Sequence, residues 1–396
     1  MTESMPSPRT QKLFFFWLIA LCISFGFDWW SYFFLYTSGL LGFFILVQAN
    51  CSRHIVIDWK FYIPILFFVY LIITPGNPLK DLHVAGIFSA AFFAGAAGWL
   101  LFHDRLHTIV FTLPAALTAN FLLSCMSAAI FDTALLGTSG SPGRLALAFS
   151  SPAVLGELSA LGIFFLLCFP HPNRAIRLAG NGLGAILLIM IALSVGRAAY
   201  LGMASTILVF SCIRSWKKAL GLMAILLAVG CAVFPFTPNN QQQRIVSAFR
   251  APLDDPTLQS RLPIWSLAYQ KFKEAPFFGN GLRTFTIHYQ EHLDNNYETI
   301  KKENPHAEFR YFKHPHSIYL AAMYGWGIVG TTLLAACWIM AIRYGHTQGH
   351  HLMLYITAFM LAFGLFEVRF INRDGAFFLL FPIGLTFAKL IKRNIP

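Results

Sequence analysis

The stretch Leu13–Phe27, LFFFWLIALCISFGF, holds no charged residue, and Leu183–Leu193, LGAILLIMIAL, repeats the pattern far downstream. Crossing about 30 Å of hydrocarbon takes roughly 20 mostly apolar residues. Many such blocks fill the chain, which is 57% hydrophobic and 16% aromatic but only 12% charged. A soluble domain carries about a quarter charged residues. The chain therefore reads as an all-α polytopic membrane protein. The first block has no small-residue cleavage site behind it and further blocks follow, so it reads as a span rather than a removed signal peptide.

Apolar runs place spans at about 13–28, 30–48, 61–75, 82–102, 108–130, 151–169, 178–195, 198–213, 219–236, 316–342, 350–367 and 374–391. This makes about twelve, with both termini on one side. The chain divides into a membrane core over 1–236, a large polar loop over 237–315 and a second stretch of core over 316–396. Lys and Arg cluster on one set of ends and loops, among them Arg9, Lys12, Arg53, Arg105, Arg174, Arg177, Arg214, Arg343 and Arg393. The positive-inside rule makes that set cytoplasmic. The long loop then faces outward, which in a bacterial inner membrane is the periplasm. The net charge of +12 is mostly a topological signal, so nucleic acid is not an expected partner. Most of the seven cysteines fall inside apolar blocks. They read as small buried hydrophobes rather than as disulfides or metal ligands.

A small group of basic residues falls on the outer side. Arg144 lies in the loop after the fifth span, and Arg197 in the tight turn SVGRAAYLG. A guanidinium at such depth is costly and usually paired or functional, and its planar donor fork fits phosphate oxygens. The competing reading is an arginine snorkelling to lipid headgroups or paired with Glu157, an acid inside the sixth span. Glu157 itself could hold a site arginine or take part in proton transfer; a structural ion pair is the favoured reading.

Arg261 opens an amphipathic helix in the long loop, with Arg261, Trp265, Ala268 and Phe272 as its apolar stripe. A solvated arginine near a helix start fits the periodicity equally well. His314 and His316 close the loop. Pro315 keeps a helix from running smoothly through, so His316 is expected near the first turn of the tenth span. There a neutral imidazole is a credible general base. A His-x-His metal pair with His288, His292 or His306 matches no standard zinc spacing. Two interfacial histidines without a role are the blandest reading. Asp254–Asp255 and the run from Glu291 to Glu308 read as loop surface. The residues alone thus suggest a lipid diphosphate donor and a hydroxyl nucleophile.

Three motifs in order resemble the O-antigen ligase and polymerase superfamily. SVGRAAYLG looks like its arginine-bearing turn. SRLPIWSLAYQKFKEAPFFGNGLRTF looks like its loop motif, and HSIYLAAMYGWGIVG like its ligase motif: His316, Ser317, nine residues, Gly327, two residues, Gly330. GRLALAFSSPAVLGEL also resembles the family, with Ala153 where Asn is common.

The resemblance implies a twelve-span glycosyltransferase of the GT-C class, independent of metal and without a cofactor. It implies transfer of a glycan from undecaprenyl diphosphate to a sugar hydroxyl of lipid A-core. Arg197 and Arg261 would hold the diphosphate and His316 would be the base, with Arg144, Glu157, His314 and Trp265 in support. An O-antigen polymerase is the closest rival, but the short loop over 131–150 favours ligase. A protein O-oligosaccharyltransferase usually carries a further periplasmic domain. A secondary transporter would show internal repeats and charged midplane helices.

Overall fold

The computed structural model describes residues 7–24, 28–51, 55–73, 78–131, 152–194, 196–213, 215–236, 239, 242–243, 246, 255–307, 312–347, 351–368 and 373–393. Helices lie on each apolar segment expected from hydropathy: α1 (Pro8–Ser24), α2 (Asp28–Cys51), α3 (Tyr62–Ile73), α4 (Pro78–Phe102), α5 (Leu106–Phe131), α6 (Pro152–Cys168), α7 (Arg174–Leu193), α8 (Arg197–Ile213) and α9 (Trp216–Val233). Among the described residues, five helical segments are long and apolar enough to cross a membrane: Tyr32–Cys51, Leu82–Phe102, Leu106–Met126, Arg174–Leu193 and Ile318–Thr347. Shorter apolar helices accompany them. A short antiparallel pair, β1 (Ile55–Ile57) with β2 (Ile391–Arg393), joins the end of α2 to the end of the chain.

Packing between these helices relies on small residues. In lipid there is no hydrophobic drive between apolar helices, so close backbone approach and dispersion hold them together. α4 is the centre of one half. A side chain at Gly39 or Gly42 of α2 would strike the α4 backbone at Ala90 and Phe93. On the other flank, Gly95 of α4 meets the backbone of Phe381, and Gly384 meets that of Phe92. Phe381 and Gly384 belong to α15 (Arg373–Phe387). The second half is built around α8, whose Gly202 receives the ring of Phe359 from α14 (Leu352–Phe363).

The long loop folds into a helical cap. It contains α10 (Pro256–Gln259), α11 (Leu262–Glu274) and α12 (Phe285–Glu303). Ile264, Leu267 and Ala268 of α11 pack with Phe285, Tyr289 and Leu293 of α12. The buried stripe on α11 is thus turned by one residue from the expected one. Ile264 and Leu267 go inward, while Trp265 and Phe272 are half-buried. Glu291, Asp294, Glu298 and Glu303 are solvated as expected; Glu308 lies outside the described residues. The cysteine expectation needs correction: of the six described, only Cys337 is buried, and Cys51, Cys212 and Cys231 are exposed. They lie on faces that no described element covers.

The expected continuous tenth span is also corrected. α13 (Ile318–Thr347) is broken at Gly327, with φ +60° and ψ −165°. At that point the carbonyl of Phe277 occupies the place where a side chain would stand, and only glycine tolerates the conformation freely. The backbone groups freed by the break are taken up by the loop. Ile328 N–H donates to the Pro276 carbonyl at 2.8 Å and Val329 N–H to that of Phe277 at 3.1 Å. Asn280 and Gly281 N–H donate to the carbonyls of Tyr324 and Gly325 at 2.8 and 3.0 Å.

The break turns the first part of α13 back on itself. Trp338 Nε1 donates to Thr357 Oγ1 at 2.7 Å, and Ile318 N–H donates to the Gly364 carbonyl at 2.7 Å. About 10 Å of chain separates Thr357 from Gly364, while about 16 Å of helix separates Trp338 from Gly327. The half-helix Ile318–Trp326 must therefore lie across the end of the bundle. Its Leu320 and Tyr324 face the cap, and Ile318, Ala321, Ala322 and Trp326 face the bundle. The remaining stretch, Ile328–Thr347, still spans about 30 Å.

Candidate active site

His316 stands two residues before α13 begins, beside its first turn. Its φ of +51° is the only positive value at a non-glycine position among the described residues. Histidine visits this region more readily than bulkier residues, yet the conformation is costly and marks a constrained position. Pro315 before it and the buried Ser317 after it fix the turn. The imidazole rings of His314 and His316 are 4.3 Å apart between centroids, and Phe312 meets His316 edge-on at 5.1 Å.

A carboxylate that sequence reasoning missed joins the expected residues. Glu367 follows α14, just beyond the Gly364 carbonyl that receives Ile318. Its Oε2 lies 3.9 Å from His316 Nδ1, and its Oε1 lies 3.7 Å from an Arg261 terminal nitrogen. The side chains of Arg261, Glu367 and His316 are 15%, 16% and 22% exposed, so all three are largely withdrawn from solvent yet reachable. The Arg261 guanidinium also lies over the Phe366 ring at 5.5 Å, and Trp265 packs near the same ring at 6.3 Å. The available signal was a lone acid closing the apolar run FGLFE; an ionisable group there is functional by default.

Arg197 takes a different partner from the one considered. Its two terminal nitrogens grip both oxygens of Asp255, at 2.8 and 3.2 Å. Asp255 was read as loop surface, but it is 3% exposed. One of its oxygens also accepts the N–H groups of Thr257 and Leu258 at 2.9 and 3.0 Å, capping α10. Burial pushes its carboxyl pKa up, but the Arg197 fork and the cap hydrogen bonds outweigh this and hold it below the ordinary carboxylate range. The sequence Asp-Pro at a helix start was the signal for this cap. From the cap, α10 leads directly to Arg261, whose N–H donates to the Leu258 carbonyl at 2.8 Å. Arg197 and Arg261 thus secure the two ends of one short helix.

Glu157 is fully buried in α6. Gly156 beside it packs on Ala199 of α8, so its helix touches the one that begins with Arg197. Arg144 lies outside the described residues. Of the other histidines, His288 Nδ1 pairs with the Tyr324 hydroxyl at 2.7 Å. Among the described residues, no three His, Cys, Asp or Glu side chains are grouped to hold a metal ion.

These features define a class: an α-helical, membrane-embedded protein whose loop-side end is closed by a capped, broken helix and lined by arginines and a histidine. Residues 182–335 match the O-antigen ligase family, which supports a member of the O-antigen ligase superfamily. The segment includes Arg197, Arg261, His316 and Gly327. Members of the family are glycosyltransferase-like membrane enzymes. A comparison with curated proteins gives no match.

Proposed function

We propose that the protein is an O-antigen ligase of the GT-C class with twelve spans in a bacterial inner membrane. In this reading it transfers a glycan from undecaprenyl diphosphate to a sugar hydroxyl of lipid A-core at the periplasmic face. The observation that carries the reading is Glu367, which brings His316 and Arg261 to one carboxylate.

The chemistry follows from that arrangement. The acceptor oxygen attacks the anomeric carbon, its proton passes to the imidazole, and the bond from that carbon to the diphosphate oxygen breaks with inversion. With Nδ1 turned to Glu367, Nε2 is the nitrogen that takes the proton, and Glu367 meets the charge that results. The diphosphate leaves with an added negative charge. Arg261, and Arg197 at the other end of α10, supply the countercharge that a metal would otherwise bring. Arg197 shares its fork with Asp255, so donor phosphate binds at the outer edge of that pair.

Deleting the gene tests the reading. Long-chain lipopolysaccharide disappears and lipid-linked polymer accumulates. Single repeat units still joined to core would instead identify a polymerase. Purified protein transfers at full rate in excess EDTA; loss of activity restored by one divalent ion would defeat the arginine-only mechanism.

A further inference from the structure

Arg197 and Arg261 each face a carboxylate, but a third arginine of the cap does not. Arg283 sits in the tight turn Leu282–Thr284. Its Nε is sealed from solvent without a hydrogen-bond partner. No carboxylate among the described residues reaches its guanidinium.

The turn that carries Arg283 is fixed on both sides. Leu282 fills the space over Gly325, where a side chain would collide with it. Thr284 Oγ1 lies 2.7 Å from the Gly281 carbonyl and 2.7 Å from the Tyr324 hydroxyl, hydrogen-bonded to both sides of the turn. The guanidinium is thus held on a rigid support rather than on a loose loop.

The same turn rests against the start of α4. There His83 is exposed, close enough for its charge to interact with that of Arg283. Its Nδ1 pairs with the Tyr36 hydroxyl of α2 at 2.9 Å. Tyr32 lies alongside, its ring 5.7 Å from that of His83. His83 and Tyr36 stand in the first half of α4 (Pro78–Phe102) and of α2 (Asp28–Cys51), helices that each hold a segment long and apolar enough to cross a membrane. The starts of such helices are where lipid headgroups meet protein and interfacial aromatics concentrate. A guanidinium fork there, with no carboxylate partner among the described residues, suits phosphate oxygens.

We propose that Arg283, His83 and Tyr36 form an anion site for the phosphate of a lipid or glycolipid headgroup, separate from the Arg197–Arg261 end of the cap. The phosphate belongs either to an anionic glycolipid acceptor or to a bulk anionic phospholipid. Only the first alternative rests on the transfer reading above.

The test is binding, which needs no turnover. Purified full-length protein and its Arg283→Gln variant are loaded with lipid A-core, enzymatically dephosphorylated lipid A-core or phosphatidylglycerol, and retained lipid is measured by native mass spectrometry. Removing a charge-assisted contact should lower retention about tenfold, with Arg283→Lys recovering part of it. A loss confined to phosphorylated lipid A-core assigns the site to the acceptor. A loss confined to phosphatidylglycerol assigns it to bulk lipid. Equal retention by wild type and Arg283→Gln overturns the proposal. So does an equal loss of the dephosphorylated glycolipid, which would make Arg283 a packing residue.

Discussion

The two ion pairs of the cap differ in kind. Arg197 and Asp255 meet fork to fork at 2.8 Å, with the carboxylate buried and already used as a helix cap. Arg261 and His316 share Glu367 at 3.7 and 3.9 Å, beyond hydrogen-bond reach. The first geometry is that of a fastener. The second is a looser contact between charged groups, too long for a direct hydrogen bond. The difference teaches that an arginine's presence in a family motif does not say what it grips; the spacing to its carboxylate does.

The largest expected effect lies at the looser pair. His316→Ala should lower the transfer rate about 10²–10⁴-fold, the range of a general base, while donor binding persists. A variant with near-normal rate removes His316 from the mechanism. His314→Ala should be milder. Glu367→Gln keeps the shape but cannot meet the charge on the ring, so the maximal rate should fall on the order of 10²-fold with little change in donor KM. A rise in KM alone would make Glu367 a binding residue acting through Arg261. Arg197→Lys comes next: a point charge cannot replace a bidentate fork, so transfer should fall about tenfold or more, nearly as far as with Arg197→Ala. If Lys restores most of the rate, the residue acts through charge alone.

These contrasts also mark what the sequence discloses. Runs such as Leu183–Leu193 announce helices because lipid demands unbroken apolar stretches with internally paired backbones. The sequence singles out Arg197, Arg261 and His316 because charge is costly beside such runs. Gly327 was visible only as a motif position. Its break depends on the Phe277 carbonyl, which lies fifty residues away in the chain, and no local periodicity reports it. Asp255, one of an acidic pair in the loop, looks solvated until the fold supplies Arg197 opposite it, and Glu367, at the end of an apolar run, gains its partners only when the cap and the start of α13 are brought to it.

The smallest expected effect concerns the fastener, and it separates cap from ion pair. Asn is as good a helix cap as Asp, so Asp255→Asn should keep the bonds to Thr257 and Leu258 and lose only the charge. Arg197 is 34% exposed, so solvent screens part of the loss, and about 1–2 kcal/mol should remain. Hydrogen exchange at Gln259 and Ser260 should then quicken about tenfold; Asp255→Ala should add about 1 kcal/mol for the lost cap. The pH dependence has a definite sign. The folded-state pKa of Asp255 lies below the ordinary value of 3.8, so its stabilisation is complete above that value and drains as pH falls through the lowered one. Protection of α10, corrected for intrinsic exchange, should stay level from neutral pH down to about pH 5 and decline only in stronger acid. A decline beginning near pH 6 would mean that a histidine, not Asp255, governs the docking of the cap.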